Sequence, residues 1–318
     1  MARRVSAAAV GGAVGTADAV SLRSGWEQVL QEWRADAVIA EQTSFRLEEI
    51  GARFVARLSR SGLTSWEDVQ EGHCRSFVGA RTRSGRPPSP ATQHLRRSTV
   101  RAIFRTLRSI GATAGDPTLD LVLPPRQARA YRPLTDDEVL LCRATSRLGE
   151  SGAASLRRAV AWALGEATAA TSEIGAVRLE HLDTPDRPRW VRFPASRRYA
   201  ARNGRLTDWG TRVIARQARA LMVAGAGGST LLAYGGTGAG GQYLAQASVC
   251  TQLTKVLEVA GLRDDPAVQA RSLRGWAGRS LYAAGVPLEQ VAVRLGCNSL
   301  DAAAAEIGLQ WKPSTPPS

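Results

Sequence analysis

Residues 271–297 read RSLRGWAGRSLYAAGVPLEQVAVRLGC. Two arginines three apart, Arg271 and Arg274, open an amphipathic helix that runs toward a turn at Leu295-Gly296-Cys297. Guanidinium forks at that spacing share a helical face and suit the oxygens of a phosphate. Breaking a phosphodiester also requires a nucleophile and a group that moves protons. The stretch has no His, and its one Tyr, Tyr282, lies among Leu281, Ala283 and Ala284, the setting of a core aromatic. Ser272 and Ser299 have no His in local reach, the chain's histidines being His73, His94 and His181, so a hydrolase triad has no basis.

Phosphate as the partner agrees with the composition. The net charge is +14, and arginine carries nearly all of the excess because the lysines are Lys255 and Lys312 alone. Such a chain favours a polyanion, nucleic acid before an anionic membrane surface; a GC-rich coding bias toward Arg and Ala is the competing explanation. Arg97, Arg101, Arg105 and Arg108 recur at 4-4-3 spacing and put four guanidinium groups along one helix face. That face either contacts phosphate or is simply solvated; a single-sign stripe without acidic partners favours the first reading. Further basic groups cluster at Arg126, Arg129 and Arg132 and at Arg197, Arg198, Arg202 and Arg205, where Tyr199 could stack on DNA. The four cysteines, Cys74, Cys142, Cys250 and Cys297, form no CxxC pair, which argues against a zinc site or a disulfide framework. Buried thiols in a reducing compartment are expected, with no metal and no cofactor.

The elements that must position these groups are mostly helical. Residues 1–20 are low in complexity and read as a disordered leader, because their apolar stretch is Ala and Gly rather than Leu. Trp26, Val29, Leu30 and Trp33 recur at helical spacing, as do Phe45, Leu47, Ile50, Phe54, Val55 and Leu58. Ser65 and Asp68 suggest a helix cap. A longer helix over about 91–110 carries Val100, Ile103, Phe104, Leu107 and Ile110 on the face opposite the arginines. Residues 119–133 form a basic, proline-rich linker, and Thr135 with Glu138 marks the start of a second domain. Helices follow at about 135–148 and 153–171, a small sheet at 189–207, and helices at about 208–224 and 246–260. The segment YGGTGAGGQ (234–242) lacks the GK[ST] of a phosphate loop, does not run into a helix at that point, and reads as a flexible loop. No apolar run reaches the length of a membrane span.

Order and wording together resemble the tyrosine recombinase (phage integrase) family over about 24–311. ATQHLRRSTVRAIFRTLRSIG followed by GDPTLDLVLPP is similar to that family's last core-binding helix and linker, and RPLTDDEV to the opening of its catalytic domain. TAATSEIGAVRLEHLD resembles the first active-site box, Thr-Gly-x-Arg-x-x-Glu-Leu; GRLTDWGTRVIARQARAL the segment after the β-hairpin; residues 271–297 the HxxR box and the LLGH segment.

The resemblance implies a mainly α fold with a small β-sheet: a helical, SAM-like core-binding domain at 21–118 and an integrase-type α+β domain at 134–311, with a tail at 312–318. In that family a Tyr attacks a DNA phosphodiester while two Arg, a hairpin Lys and His groups stabilise charge and move protons. Position by position, the first Arg falls on Ala170, the acidic residue on Glu173, the His of HxxR on Arg271, and the second Arg on Arg274. The following His falls on Gly275, the His of LGH on Cys297, and the nucleophile on Glu306, or on Gly308 if the register slips, with no Tyr after Tyr282; no lysine lies in the hairpin, where Arg197, Arg198, Arg202 or Arg205 could take that place. Losing one oxyanion donor costs roughly 3–4 kcal/mol, and losing the nucleophile removes the covalent path. The expectation is therefore a double-stranded-DNA-binding protein on a catalytically degenerate recombinase frame, cytoplasmic and nucleoid-associated. It would act as a homo-oligomer or beside an active recombinase, in a regulatory, architectural or accessory role. Its DNA-contacting set would be the arginines named above together with Arg271 and Arg274. An active recombinase with relocated catalytic groups is the second reading. A repurposed scaffold anchored by exposed Trp26, Trp33 or Trp311 is the third.

Overall fold

The computed structural model describes residues 20–35, 41–82, 85–125, 131–148, 156–196, 198–236 and 241–309, with backbone only at 41–42 and 241–242. The chain divides into two compact units, Met1–Ala128 and Arg129–Ser318.

Among the described residues the first unit contains four helices: α1 (Leu22–Ala35), α2 (Glu41–Arg60), α3 (Glu71–Val78) and α4 (Pro90–Ser109). Their apolar stripes close on one core of Val29, Trp33, Phe54, Leu58, Trp66, Phe77, Ile103, Phe104 and Leu107. Helix α4 starts where the sequence supplies both a cap and a fixed φ: Ser89 Oγ accepts from Thr92 N at 3.3 Å, and Pro90 occupies the first turn. It ends at Gly111, whose φ of +73° is open to glycine. Two expectations change here. Ser65 caps no helix; α3 begins at Glu71, and Ser65 Oγ instead accepts from Glu67 N and donates to Val20 O. Trp33 is buried, its Nε1 donating to Thr106 Oγ1 at 3.0 Å, and Trp26 packs edge-on against it at 5.8 Å. Neither offers a free anchor, and Trp311 lies outside the described residues.

The second unit carries α5 (Asp136–Thr145), α6 (Leu156–Glu166), α7 (Thr171–Ile174), strands β1 (Trp190–Phe193) and β2 (Arg202–Arg205), α8 (Asp208–Val223), α9 (Gly241–Val259), α10 (Ser272–Ala283), α11 (Leu288–Leu295) and α12 (Leu300–Ile307). Thr135 and Glu138 form the expected reciprocal cap of α5. Helix α6 is the centre of the unit: Ala159 through Glu166 are all buried, and a helix apolar nearly all round must be enclosed by its neighbours. The strands pair antiparallel, Trp190 opposite Arg205 and Phe193 opposite Arg202, with Val191 and Phe193 turned inward. A smaller cluster of Val291, Leu295 and Ile307 joins the last helices.

The helix expected at 153–171 stops at Glu166, because Thr168 takes a left-handed φ of +77° that no α-helix tolerates. The helix expected from 246 begins at Gly241, so the glycine-rich segment does run into a helix; residues 237–240 of it lie outside those described. Tyr282, expected in the core, is 41% exposed on α10. The fold is thus mainly α with one small sheet.

Candidate functional site

The break after α6 builds the site. A β-branched residue such as Thr168 in the left-handed region costs about 1–2 kcal/mol. Three hydrogen bonds hold it there. Thr168 Oγ1 donates to Arg294 O at 2.8 Å, while its carbonyl accepts from Arg202 Nη2 at 3.1 Å and Arg274 Nε at 3.3 Å. The chain then re-enters a helix at α7, where Glu173 Oε2 accepts from Ala170 N at 2.8 Å. That turn leaves the Glu173 side chain 1% exposed, and a buried carboxylate must be paired.

Ala170 cannot supply the pairing cation, so Arg202 does. From the start of β2, Arg202 forms a two-pronged ion pair with Glu173 and donates its Nε to Arg294 O at 2.8 Å. Its side chain is 8% exposed. The sequence placed Arg202 on a DNA-facing hairpin; the structure turns it inward. Arg274 is equally enclosed. Its Nη1 donates to Glu306 Oε1 at 3.0 Å, its Nε to Thr168 O, and its Nη2 to Leu295 O.

Between these pairs sits Tyr199, held at the hairpin tip by Ser196 Oγ, which accepts from its backbone N at 3.0 Å. The guanidinium carbons of Arg198, Arg202 and Arg274 each lie 5.5 Å from the Tyr199 ring centre. Arg198, Tyr199, Arg271, Arg274, Glu306 and Ala170 are among the lining of a cavity of about 180 Å³. A larger cavity of about 340 Å³, edged by Trp190, Arg205, Trp276 and Arg294, shares none of that lining.

The residue that sequence reasoning missed is Tyr131. Its ring lies under the Arg271 guanidinium at 4.1 Å, and its hydroxyl donates to Glu306 O at 2.6 Å. A Cβ on Gly275 would fall 2.0 Å from the Tyr131 hydroxyl and 2.5 Å from Glu306 O, so this position admits only glycine. Burial pushes the Tyr131 phenol above its ordinary range, leaving it a hydrogen-bond donor rather than a phenolate. Nothing local to residues 129–133 signals this role; it follows from where α10 and α12 meet. Burial also raises the Cys297 thiol.

The remaining basic residues divide by partner. Arg132 is held inside the unit, its guanidinium bidentate to Glu138 at 2.6 and 2.8 Å and its Nε on Asp265 at 2.8 Å. The Arg132 hydrogen bonds hold Glu138 below the usual carboxylate range. In the first unit Arg108 pairs with Asp116 at 3.0 Å. Arg97, Arg101 and Arg105 have no acidic partner among the described residues, and Arg97 Nε is enclosed without a hydrogen bond. Arg105, Arg198, Arg205 and Arg271 are exposed. Arg126, Arg129 and Arg197 lie outside the described residues.

The histidines are structural. Nδ1 of His73 accepts from Gln70 N and Nδ1 of His181 from Arg178 N, each at 3.1 Å, and His94 bonds Pro124 O at 2.9 Å. Ser272 and Ser299 bond backbone amides. Cys74 and Cys142 are buried, with thiols pushed up to about 12 by burial; Cys250 and Cys297 are half-buried. No group of three or more metal-ligating side chains occurs among the described residues, and no helix there is long and apolar enough to cross a membrane.

By sequence the chain matches no protein family and no curated protein. By structure it is similar to a lambda integrase dimer bound to a COC′ core site, at 15% identity and a TM-score of 0.62, over 94% of this chain and 81% of that one. XerH recombinase bound to palindromic difH substrate, in a post-cleavage complex, matches at 14% identity and a TM-score of 0.59, over 91% and 82%. Tn1549 transposon integrase in complex with transposon right end DNA matches at 11% and 0.55, over 92% and 95%. The chain therefore carries the fold of these recombinases and integrases.

Proposed function

We propose that the protein binds double-stranded DNA and does not cut it. The observation that carries the second half is the Glu306 carboxylate paired with Arg274, at the residue to which the family resemblance assigns the nucleophile. A carboxylate so placed repels a phosphodiester and has no phenol oxygen to form the covalent intermediate. DNA binding is supported by the DNA-bound state of the similar structures and by Arg97, Arg101 and Arg105 of α4, which have no acidic partner among the described residues. In this reading Arg97, Arg101, Arg105, Arg198, Arg205 and Arg271 make the phosphate contacts, joined by Arg126, Arg129 and Arg197. Arg108, Arg132, Arg202 and Arg274 instead form ion pairs, each within its own unit. The similar structures include a dimer and a Holliday-junction-bound tetramer of lambda integrase, which supports self-association on DNA. The role is regulatory, architectural or accessory to an active recombinase, in the cytoplasm at the nucleoid.

The test is duplex binding against salt. Replacing Arg101 and Arg105 by Ala should flatten the slope of log K against log[salt] by about 0.9 per lost phosphate contact, with stability changed by less than about 0.5 kcal/mol. Binding that ignores salt would overturn the proposal. A second reading, strand cleavage by a relocated nucleophile, is favoured by the position of Tyr199 among three guanidinium groups. A suicide substrate that traps an adduct in the wild type, and not in Tyr199→Phe, would establish it.

A further inference from the structure

We infer that Glu306 is a built-in occupant of the arginine pocket, a carboxylate that takes the place of phosphate on Arg274 and keeps the pocket from accepting one. The inference rests on the DNA-binding reading only for its biological setting; its chemistry stands on the pocket itself.

Arg274 presents a rigid planar fork of donors. Two of its three nitrogens point at carbonyls, Nε at Thr168 O and Nη2 at Leu295 O, and cannot turn away without leaving buried groups unpaired. The third, Nη1, is the group on the carboxylate of Glu306, and both residues line the cavity shared with Arg198, Tyr199 and Arg271. A phosphate entering that cavity meets an oxyanion already on the nitrogen it would use. Glu306 is also anchored: its backbone carbonyl accepts the Tyr131 hydroxyl, and Ser299 caps its helix through Ala302 N at 3.1 Å. Within the pocket the enclosed cation Arg274 is matched by the Glu306 carboxylate, and the uncancelled charge belongs to Arg198 and Arg271. Glu306 thereby makes that point of the pocket phosphate-refusing.

Glu306→Gln keeps an oxygen for Arg274 and removes the charge, so the fold should persist; Glu306→Asp keeps the charge at shorter reach. Inorganic phosphate binding to the full chain, followed by calorimetry, should tighten on the order of tenfold in Glu306→Gln, the effect of deleting one like charge beside a bound anion. In Glu306→Asp it should stay within about twofold of the wild type. For duplex DNA the salt slope of Glu306→Gln should steepen by about 0.9, one added phosphate contact. Unchanged phosphate affinity in Glu306→Gln, or equal tightening in both variants, would overturn the inference, the latter by assigning the effect to packing. If the wild type binds no duplex at low salt, the DNA reading fails, while the phosphate comparison still decides the role of Glu306.

Discussion

Replacing Arg202 by Ala separates the two places this arginine could serve, DNA or core. In the structure the substitution strands Glu173, whose side chain is 1% exposed, and removes donors from the carbonyls of Thr168 and Arg294. Both partners of the pair are almost wholly enclosed, so solvent does little to screen the loss. Removing one member of a buried ion pair costs about 3–5 kcal/mol. At about 2–4 °C per kcal/mol for a unit the size of Arg129–Ser318, its melting temperature should fall by roughly 6 to 20 °C. Scanning calorimetry on the full chain is the assay, because a chain of two units need not melt in one transition. Adding Glu173→Gln should recover part of the loss by removing the stranded charge. A melting temperature unmoved by Arg202→Ala, with a DNA salt slope flattened by about 0.9, would refute the reasoning and return Arg202 to the DNA face.

Thr168 should show an unusual order of substitution. Thr168→Ala keeps the left-handed φ and loses the bond to Arg294 O, costing about 1–2 kcal/mol; Thr168→Gly loses the same bond and relieves comparable strain. Urea midpoints should therefore place Gly above Ala, and the reverse order would remove the strain argument. Arg132→Ala should flatten the acid side of the stability profile. Glu138 titrates below its unfolded value near 4.3, so its contribution is complete above that pH and is lost as pH falls through the depressed folded value. Urea midpoints from pH 7 to 3 should fall less steeply in the variant, from a lower start; parallel curves would contradict the pairing.

Much of the fold was legible because periodicity and caps are local. The alternation Trp190-Val191-Arg192-Phe193 placed the hairpin, Thr135 with Glu138 placed α5, and the two stripes of α4 separated core from basic face. Local signals failed where a distant contact decided. Ser65 had the spacing of a cap and served a bridge to Val20 instead, and α6 ended early because Thr168 bonds across the chain to Arg294. Tyr282 had apolar sequence neighbours, yet its place near the end of α10 leaves it in solvent.

For the site, the sequence by itself determined which chemical groups are present: arginines in excess, Ala170 without charge, a carboxylate at Glu306. It could not assign those arginines, because every guanidinium carries the same charge wherever it lies. Tertiary structure made the assignment through burial. An enclosed carboxylate must find a cation, so Glu173 drew in Arg202 and Glu306 holds Arg274, while Arg101 and Arg105 have no acid beside them among the described residues. The meeting of Tyr131, Arg271 and Gly275 over α12 was beyond any local pattern, since it joins the start of the second unit to its end.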